Sequence, residues 1–363
     1  MNRVRAFITA NRSWLPWAVG GVFLALAAVL PLLAIEIPGV FPGASYTPGT
    51  LQLLALCLLF ASLALSYHLL FGTVGLLSFG HALYFAVGAY GLGIVLEQTD
   101  LELLPAIGLA LAAAIVIASL LGAVSLRVTG ISFAMVTLAF AQAGNVIVRR
   151  NPAITGGEEG IRLDIEHVPD FLVGVLNTRN LYWLTLVLLV VVYLAVLWFE
   201  KSRGGRVAAA TRENELRVRV IGLRPIIIKL AAFVLASALA ALVGMAYLLL
   251  QSGATPRATS ADFTLTLLVI VVLGGVGSRW GAIVGGIIYT LLDQRLTSLA
   301  GSDAIAGLPD ILRIPLSEPL FILGTLFILV VLFLPGGIAG IARTAVTGRG
   351  SLRKDRDELE EVS

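Results

Sequence analysis

Two long apolar runs are joined by the stretch Gly72-Thr-Val-Gly-Leu-Leu-Ser-Phe-Gly-His-Ala-Leu-Tyr-Phe-Ala-Val-Gly-Ala-Tyr-Gly91. Its glycines disfavour an uninterrupted helix across the junction. Backbone groups left free at membrane depth are tolerated only where they are buried in protein or line a water-filled cavity. The stretch therefore predicts a break between two helices. His81 fits equally a histidine packed between helices and a residue of a translocation pathway. The candidate pathway residues here are Gly72, Gly75, Ser78, Gly80 and His81.

The composition is typical of a membrane protein. Of the 363 residues, 58% are hydrophobic and only 13% are charged, and the mean hydropathy is +0.96. A spanning helix needs about 20 predominantly apolar residues. We therefore predict an all-α polytopic membrane protein with about ten transmembrane helices, some of them broken at glycine-rich segments. The predicted spans are 15–37, 51–71, 75–96, 103–124, 131–148, 181–199, 226–250, 263–276, 281–298 and 319–341.

The charge distribution predicts an orientation. If the chain starts in the cytoplasm and crosses ten times, most of its 25 Lys and Arg residues lie on the cytoplasmic side, as membrane proteins prefer. Both termini are then cytoplasmic. The predicted organisation is an N-terminal arm over residues 1–14, a transmembrane domain over 15–341, and a charged tail over 342–363.

The longest basic segment runs from Glu200 to Pro225 and continues to Lys229. A basic loop can be no more than a signal that keeps it in the cytoplasm. Its pattern Gly-Arg-x-Ala-x-x-x-Arg-Glu-Asn-Glu is more particular than charge alone requires. We therefore interpret 200–225 as a surface that docks a partner.

Several classes of function are disfavoured by the sequence. Cys57 is the single cysteine, so neither an intrachain disulfide nor a metal cluster is expected. The chain lacks a Gly-x-x-x-x-Gly-Lys-Ser/Thr phosphate loop, which disfavours ATP binding. A proton-coupled carrier would require ionisable groups within its spans, and this chain has few carboxylates there. The three histidines lie in separate regions, which disfavours a membrane enzyme. We expect no catalytic residue, no bound metal and no nucleic-acid partner.

A weak internal repeat relates the first glycine stretch to a later one. Gly72-Thr-Val-Gly-Leu-Leu-Ser-Phe-Gly80 is similar to Gly274-Gly-Val-Gly-Ser-Arg-Trp-Gly281. Transporters often place broken helices at corresponding positions of two repeats, with the substrate site between them. The candidate pathway residues of the second stretch are Gly274, Gly275, Gly277 and Gly281.

Six segments in the same order resemble motifs of one family, the branched-chain amino acid permeases of ATP-binding-cassette (ABC) importers, in their M-type subunit. The first is Gly75-Leu-Leu-Ser-Phe-Gly-His-Ala-Leu-Tyr-Phe-Ala-Val-Gly-Ala-Tyr90, and Thr155-Gly-Gly-Glu-Glu-Gly-Ile161 resembles an outer loop of the family. The resemblance covers about residues 50–342. The other four segments are 133–140, 204–215 with Gly222, 273–286 and 332–340.

The resemblance implies a permease subunit without its own ATPase site, in a bacterial inner membrane. It implies a second homologous permease in a heterodimer, two ATPase subunits that use ATP and Mg, a periplasmic or extracellular substrate-binding protein, and surrounding lipid. This chain would itself bind no cofactor. The implied pathway also includes Thr155, Gly156 and Gly157. The implied ATPase-coupling residues are Arg206, Arg212, Glu213, Asn214, Glu215 and Gly222.

Two departures from the family pattern leave the solute open. The family often has Gln where this chain has Leu76, and it usually has paired alanines where this chain has Arg217 and Val218. We therefore expect branched-chain amino acids as substrates, with urea, short amides or another small polar solute as the alternative. A secondary transporter or channel that works alone is a further, less favoured alternative.

Overall fold

The computed structural model describes residues 15–37, 41–300, 318–333 and 336–340. The predicted arm 1–14 and tail 342–363 lie outside the described residues. A π-helical turn, Leu69–Val74, extends α2, and two short strands, β1 (Ile161–Arg162) and β2 (Gly253–Ala254), pair with each other. The α-helices are α1 Leu15–Val29, α2 Pro48–His68, α3 His81–Gln98, α4 Leu103–Ser125, α5 Ile131–Arg150, α6 Pro152–Thr155, α7 Thr178–Lys201, α8 Arg203–Glu213, α9 Glu215–Val220, α10 Pro225–Gln251, α11 Ala261–Gly274, α12 Arg279–Ala300 and α13 Pro319–Phe333.

The polytopic all-α fold is confirmed. Five described helices are long and apolar enough to cross a membrane, namely α2 with its π-helical extension, α4, α5, α7 and α10. The predicted spans 263–276 and 281–298 form a pair, α11 and α12, bent by 118°, which adds at most one more span by the same measure. Length and hydropathy therefore support five or six crossings among the described residues, and the total of ten stays a prediction.

The predicted third span begins too early in the sequence. Residues 75–80 are not helical, and α3 begins at His81 rather than at residue 75. Gly75 ends the π-helical turn with a φ of 78°, a left-handed conformation that glycine adopts without a steric penalty. The break itself was predicted, but the apolar Leu76 and Leu77 placed the start of the following span six residues too early.

The core of the molecule surrounds α2. In the most apolar part of this helix 89% of the residues are buried, whereas the corresponding figure for α4 is 22%. Helix α2 packs against α7, α10 and α12, and α10 packs in turn on α3 and α4. Helix α2 is therefore surrounded by protein, and α4 presents most of its surface outward.

Helices α3 and α10 cross at a pair of glycines. A Cβ atom on Gly88 would lie 2.0 Å from the carbonyl oxygen of Ala241, and one on Gly244 would lie 1.9 Å from that of Phe85. Both distances are shorter than van der Waals contact, so only glycine fits at either position. Small residues at helix crossings let backbones approach closely, which is how membrane helices gain packing energy.

The loops gather at two ends of the helix bundle. One end, called the basic end here, holds residues 72–80, 126–130, 202–224 and 275–278. Residues 126–130 share a cavity with the first and third of these segments, and the other segments are linked by the contacts described below. At the opposite end Gln52 donates a hydrogen bond to Gln251, and β1 pairs antiparallel with β2 in the register Ile161 to Ala254.

Candidate functional site: two glycine turns beneath a basic helical loop

The first glycine turn comprises residues 72–80, between α2 and α3. Its backbone leaves helical geometry at Gly75, and the next five residues have no regular secondary structure. Ser78 and His81 are fully buried and Gly75 is exposed, so the part of the break next to α3 lies inside protein. This agrees with the expectation that free backbone groups at membrane depth are shielded by protein or line a cavity.

Hydroxyl groups from two other helices satisfy the amides of this break. The amide of Phe79 donates to Oγ1 of Thr137 on α5 at 3.1 Å, and the amide of Ala82 donates to Oγ1 of Thr264 on α11 at 3.1 Å. The amide of Gly80 bonds to Oγ of Ser78 at 3.2 Å. The first turn is therefore held by side chains from distant parts of the sequence, which local patterns did not reveal.

His81 is a packed residue in this conformation. Its Nε2 lies 2.9 Å from Oγ of Ser66, and its ring lies 5.2 Å from the ring of Tyr67 in an edge-on arrangement. The hydroxyl of Tyr67 donates to the carbonyl oxygen of Ser78 at 3.1 Å. The structure thus places His81 in a helix interface, and a role for it in translocation stays a prediction.

The second glycine turn comprises residues 274–281, between α11 and α12. A Cβ on Gly274 would lie 1.9 Å from the carbonyl oxygen of Gly281, so the two helices touch through bare backbone. Gly275 has a φ of 113° and Gly277 a φ of 89°. A Cβ on Gly337 would lie 2.6 Å from Cα of Gly275, so the segment after α13 packs against the same turn.

The basic segment folds into two short helices. The hydroxyl of Ser202 caps α8 by accepting from the amide of Gly205 at 3.0 Å, and Oδ1 of Asn214 caps α9 by accepting from the amide of Arg217 at 3.0 Å. Gly222, with a φ of 85°, ends α9, while Pro225 begins α10. The segment forms two helices rather than one because Asn214 is extended, and Gly222 supplies the turn after the second.

Arg212 turns inward onto the first glycine turn. Its guanidinium donates to the carbonyl oxygen of Gly72. A Cβ on Gly75 would lie 2.7 Å from Cγ of Arg212, so the arginine stem packs against this glycine. Arg206 and Glu213 are exposed, as part of Arg212 is, but Arg206 donates to the carbonyl oxygen of Lys201 at 3.0 Å rather than to the glycine turn. Of the predicted coupling residues, Arg212 is thus the one that reaches the predicted pathway.

Glu215 bonds within the chain. It accepts from Lys229 at 2.6 Å and from Arg219 at 2.5 Å. Partial burial raises the pKa of Glu215, but the hydrogen bonds and charges of Lys229 and Arg219 outweigh this and hold the pKa below its ordinary value. Glu215 therefore fastens α9 to the start of α10, whereas a contact to a partner protein was expected for it.

Apolar side chains are exposed beside these charges. Leu216 is 71% exposed, Val220 is 79% exposed and Ile221 is 72% exposed, while Val218 on the opposite side of α9 is buried. Exposed apolar groups on a surface rimmed by charge are typical of protein or membrane contacts.

Four polar side chains, called the Glu200 cluster here, lie between the two glycine turns. Oε1 of Glu200 accepts from Oγ1 of Thr73 at 2.8 Å and lies 3.5 Å from Nε2 of His68, while Oε2 pairs with Nε of Arg279 at 3.2 Å. The members are His68, Thr73, Glu200 and Arg279. The sequence did not single out this cluster as a site. A charged residue at the end of an apolar run was its one visible signal.

Thr155, Gly156 and Gly157 lie at the opposite end, away from both glycine turns. The hydroxyl of Thr155 donates to the carbonyl oxygens of Val148 and Asn151, and a Cβ on Gly156 would lie 2.0 Å from the carbonyl oxygen of Gly160. These residues form a tight turn that leads into β1. Their predicted role in translocation stays a prediction.

A family model described as "Branched-chain amino acid transport system / permease component" matches residues 49–335. The chain belongs to this permease family. The resemblance inferred from six sequence motifs is therefore confirmed, and the matched region contains both glycine turns and the loop helices.

Individual relatives agree with the M-type resemblance. The chain is 30% identical over 268 residues to the high-affinity branched-chain amino acid transport system permease protein LivM of Escherichia coli K12, covering 67% of this chain and 62% of that protein. It is 27% identical over 318 residues to the probable LivM permease of Methanocaldococcus jannaschii, covering 77% of this chain and 90% of that protein. LivH of Escherichia coli K12 is 24% identical over 305 residues, covering 77% of this chain and 91% of LivH.

This permease thus aligns with less than two thirds of the length of the Escherichia coli LivM protein. Its family and its apolar helices make it a multi-pass membrane protein and a permease component of a transport system. A component of a system implies further subunits, and none of them is identified by the relatives' names beyond the permeases themselves.

Proposed function

We propose that this chain is the membrane-spanning subunit of an ABC importer that moves branched-chain amino acids into the cell. Energy comes from two separate ATPase subunits that use ATP and Mg. A second, homologous permease completes the pathway, and a periplasmic or extracellular binding protein delivers the solute. The chain itself binds no nucleotide and acts as no enzyme.

The observation that carries this proposal is the contact between the loop helices and the first glycine turn. Arg212, on α8, donates to the carbonyl oxygen of Gly72 and packs on Gly75. A force applied to α8 from outside the membrane therefore reaches the break in the helix directly. A loop that served only as a topology signal would need no such contact.

The exposed side of α9 fits an ATPase partner. Leu216, Val220 and Ile221 would enter an apolar part of the partner's surface, while the arginines around them add charge contacts. In this arrangement the basic end faces the cytoplasm, as the distribution of Lys and Arg favours. The chain lies in the inner membrane of a bacterium, with both termini in the cytoplasm.

The solute is inferred from the family's description and the names of the relatives. A zwitterionic amino acid would meet free helix ends along a broken helix, because the partial positive charge at a helix N-terminus favours a carboxylate. Urea and short amides lack a carboxylate, so they would gain less from such a helix end. They are the alternative solutes to be compared.

The first experiment is a pull-down of the tagged full-length chain from mild detergent, with partners identified by mass spectrometry. We expect a second permease and ATPases that contain phosphate loops. The recovered complex is then placed in liposomes and tested with leucine, isoleucine, valine, urea and acetamide. A chain that purifies alone and still moves solute without ATP would contradict the proposal and favour a self-contained carrier.

A second experiment tests the docking surface. Changing Leu216 and Val220 together to Ser removes exposed apolar area without altering a buried contact, so ATPase recovery should fall while the yield of folded chain stays constant. Ile165→Ser is the matched control, because Ile165 is 56% exposed at the opposite end. Equal ATPase recovery from both variants would place the docking surface elsewhere.

A further inference from the structure

We infer that Glu200 is a positioning residue that passes movement of the loop helices to both glycine turns at once. This role rests on the proposed function, because it requires ATPase subunits that act on α8 and α9. The six segments that resemble the family do not include Glu200. The inference comes from the position of its carboxylate between Thr73 and Arg279.

The connection between α7 and α8 is short and tightly packed. The hydroxyl of Ser202 donates to the carbonyl oxygen of Phe199 at 2.6 Å and accepts from the amide of Gly205 at 3.0 Å. A Cβ on Gly205 would lie 2.1 Å from that same carbonyl oxygen and 2.7 Å from Cα of Glu200. Helix α8 therefore rests on the last turn of α7, and a shift of α8 displaces Glu200.

Each carboxylate oxygen of Glu200 holds a different turn. Oε1 accepts from Thr73 at 2.8 Å, in the π-helical turn just before Gly75. Oε2 pairs at 3.2 Å with Arg279, the first residue of α12, just after Gly277. The side chain of Glu200 is 20% exposed. Charge-assisted hydrogen bonds with little exposure to water are stronger than those between neutral, solvated groups.

The backbone on both sides of the cluster can change direction. A single π-helical turn within an α-helix frequently marks a functional site. Gly75 and Gly277 both have positive φ and end or separate helices. Arg212 holds the first turn from the far end of α8, and Glu200 joins that turn to the second. The two turns thus move together when the loop moves.

The test uses the assembled transporter in liposomes, with solute uptake and ATP hydrolysis measured in the same sample. Glu200→Gln keeps the size of the side chain and removes its charge. We expect the amount of solute moved per ATP to fall about tenfold, a typical size for coupling between sites. ATPase subunits should still co-purify and hydrolyse ATP. Glu97→Gln, an exposed acid at the opposite end, is the control and should leave the ratio unchanged.

A second variant, which leaves the charge of Glu200 in place, tests the inference in case Glu200→Gln does not fold. Thr73→Val removes one hydrogen bond to Glu200 and should lower the ratio by a smaller factor. It should add no further loss in a Glu200→Ala background, because Glu200→Ala already removes the contact that Thr73→Val breaks.

A purely structural role for Glu200 would lower complex recovery, ATP hydrolysis and uptake together and keep their ratio. An unchanged ratio in assembled Glu200→Gln complexes would overturn the inference, and so would an unchanged ratio for Thr73→Val if Glu200→Gln does not fold. Failure of the proposed function is seen separately. In that case the wild-type chain recovers no ATPase or imports nothing with ATP.

Discussion

The two glycine turns resemble each other in sequence but are stabilised by different means. In the first, residues 72–80, hydroxyls of Thr137 and Thr264 accept hydrogen bonds from the amides of Phe79, at the end of the turn, and Ala82, at the start of α3. In the second, residues 274–281, two helices touch through glycine backbone. The first turn depends on polar side chains that belong to other helices, whereas the second depends on the absence of side chains. Similar glycine spacing therefore does not imply similar local energetics.

The largest expected effect concerns the second turn. A Leu at Gly274 would place its Cβ 1.9 Å from the carbonyl oxygen of Gly281, and no rotamer change relieves a clash with backbone. We expect a loss of about 3 kcal/mol of stability, the upper end of the usual range for overpacking. The measurement is thermal unfolding of the purified chain in detergent. Gly108→Ala is the control, because the space around its Cβ position is open. Equal unfolding temperatures for both variants would show that the two helices can separate at no cost.

The next largest effect concerns the hydroxyl groups that support the first turn. Thr264→Val keeps the shape of the side chain and leaves the buried amide of Ala82 without its acceptor. An unsatisfied buried amide costs about 1–3 kcal/mol. Thermal unfolding should show that loss for Thr264→Val and for Thr137→Val. Thr99→Val is the control, because Thr99 is exposed and bonds only within its own helix end. A loss at Thr99 equal to that at Thr264 would contradict the proposed support by hydroxyls.

A substitution at Gly277 tests backbone strain in the second turn without adding a steric clash. Its φ is 89°, but a Cβ there would meet nothing within 4 Å. Gly277→Leu should therefore cost about 1–2 kcal/mol through backbone strain alone. Because the turn would shift to relieve this strain, uptake should fall while ATPase subunits still co-purify. Uptake by the assembled variant equal to wild type would place the pathway elsewhere.

The smallest effect concerns the loop beside the first turn. The folded pKa of Glu215 lies below its ordinary value, so the charged form stabilises the fold. This contribution is complete above the unfolded pKa of about 4.3 and is lost as the pH falls through the lower folded pKa. Glu215→Gln should cost less than about 1 kcal/mol at pH 7, because the group is partly exposed. The difference from wild type in unfolding temperature should vanish on acidification, and a difference that persists would assign it to packing.

Sequence analysis predicted the bounds of several helices because a long apolar run begins and ends close to where the helix does. The predicted spans 103–124, 131–148 and 226–250 agree with α4, α5 and α10 within a few residues at each end. It failed at the ends of glycine-rich runs. There the number of crossings depends on whether a turn folds back, as it does by 118° between α11 and α12. Hydropathy does not record that angle.

The candidate site was predicted only in part. Motif resemblance located the loop helices and both glycine turns, because their residues are contiguous in sequence. The hydroxyl of Thr264 and the carboxylate of Glu200 act across separate helices, over 182 residues in the case of Thr264 and Ala82. Such contacts follow from tertiary packing, which a single sequence without an alignment does not reveal. Glu215 was expected to contact a partner protein for the same reason, because its ion pair with Lys229 of the next helix depends on tertiary packing.

Helix α2 has an environment in the finished protein that differs from the one in which it is made. Its most apolar stretch is 89% buried, yet it is apolar on every side. During synthesis the chain emerges N-terminus first, so α2 enters the bilayer before α7, α10 and α12 exist. Its leucines suit that early exposure to lipid. Its buried serines Ser62 and Ser66 bond to carbonyl oxygens of their own helix, so they also tolerate lipid. The same surface must therefore be accepted first by lipid tails and later by helices, and assembly around α2 proceeds by exchange of lipid for protein.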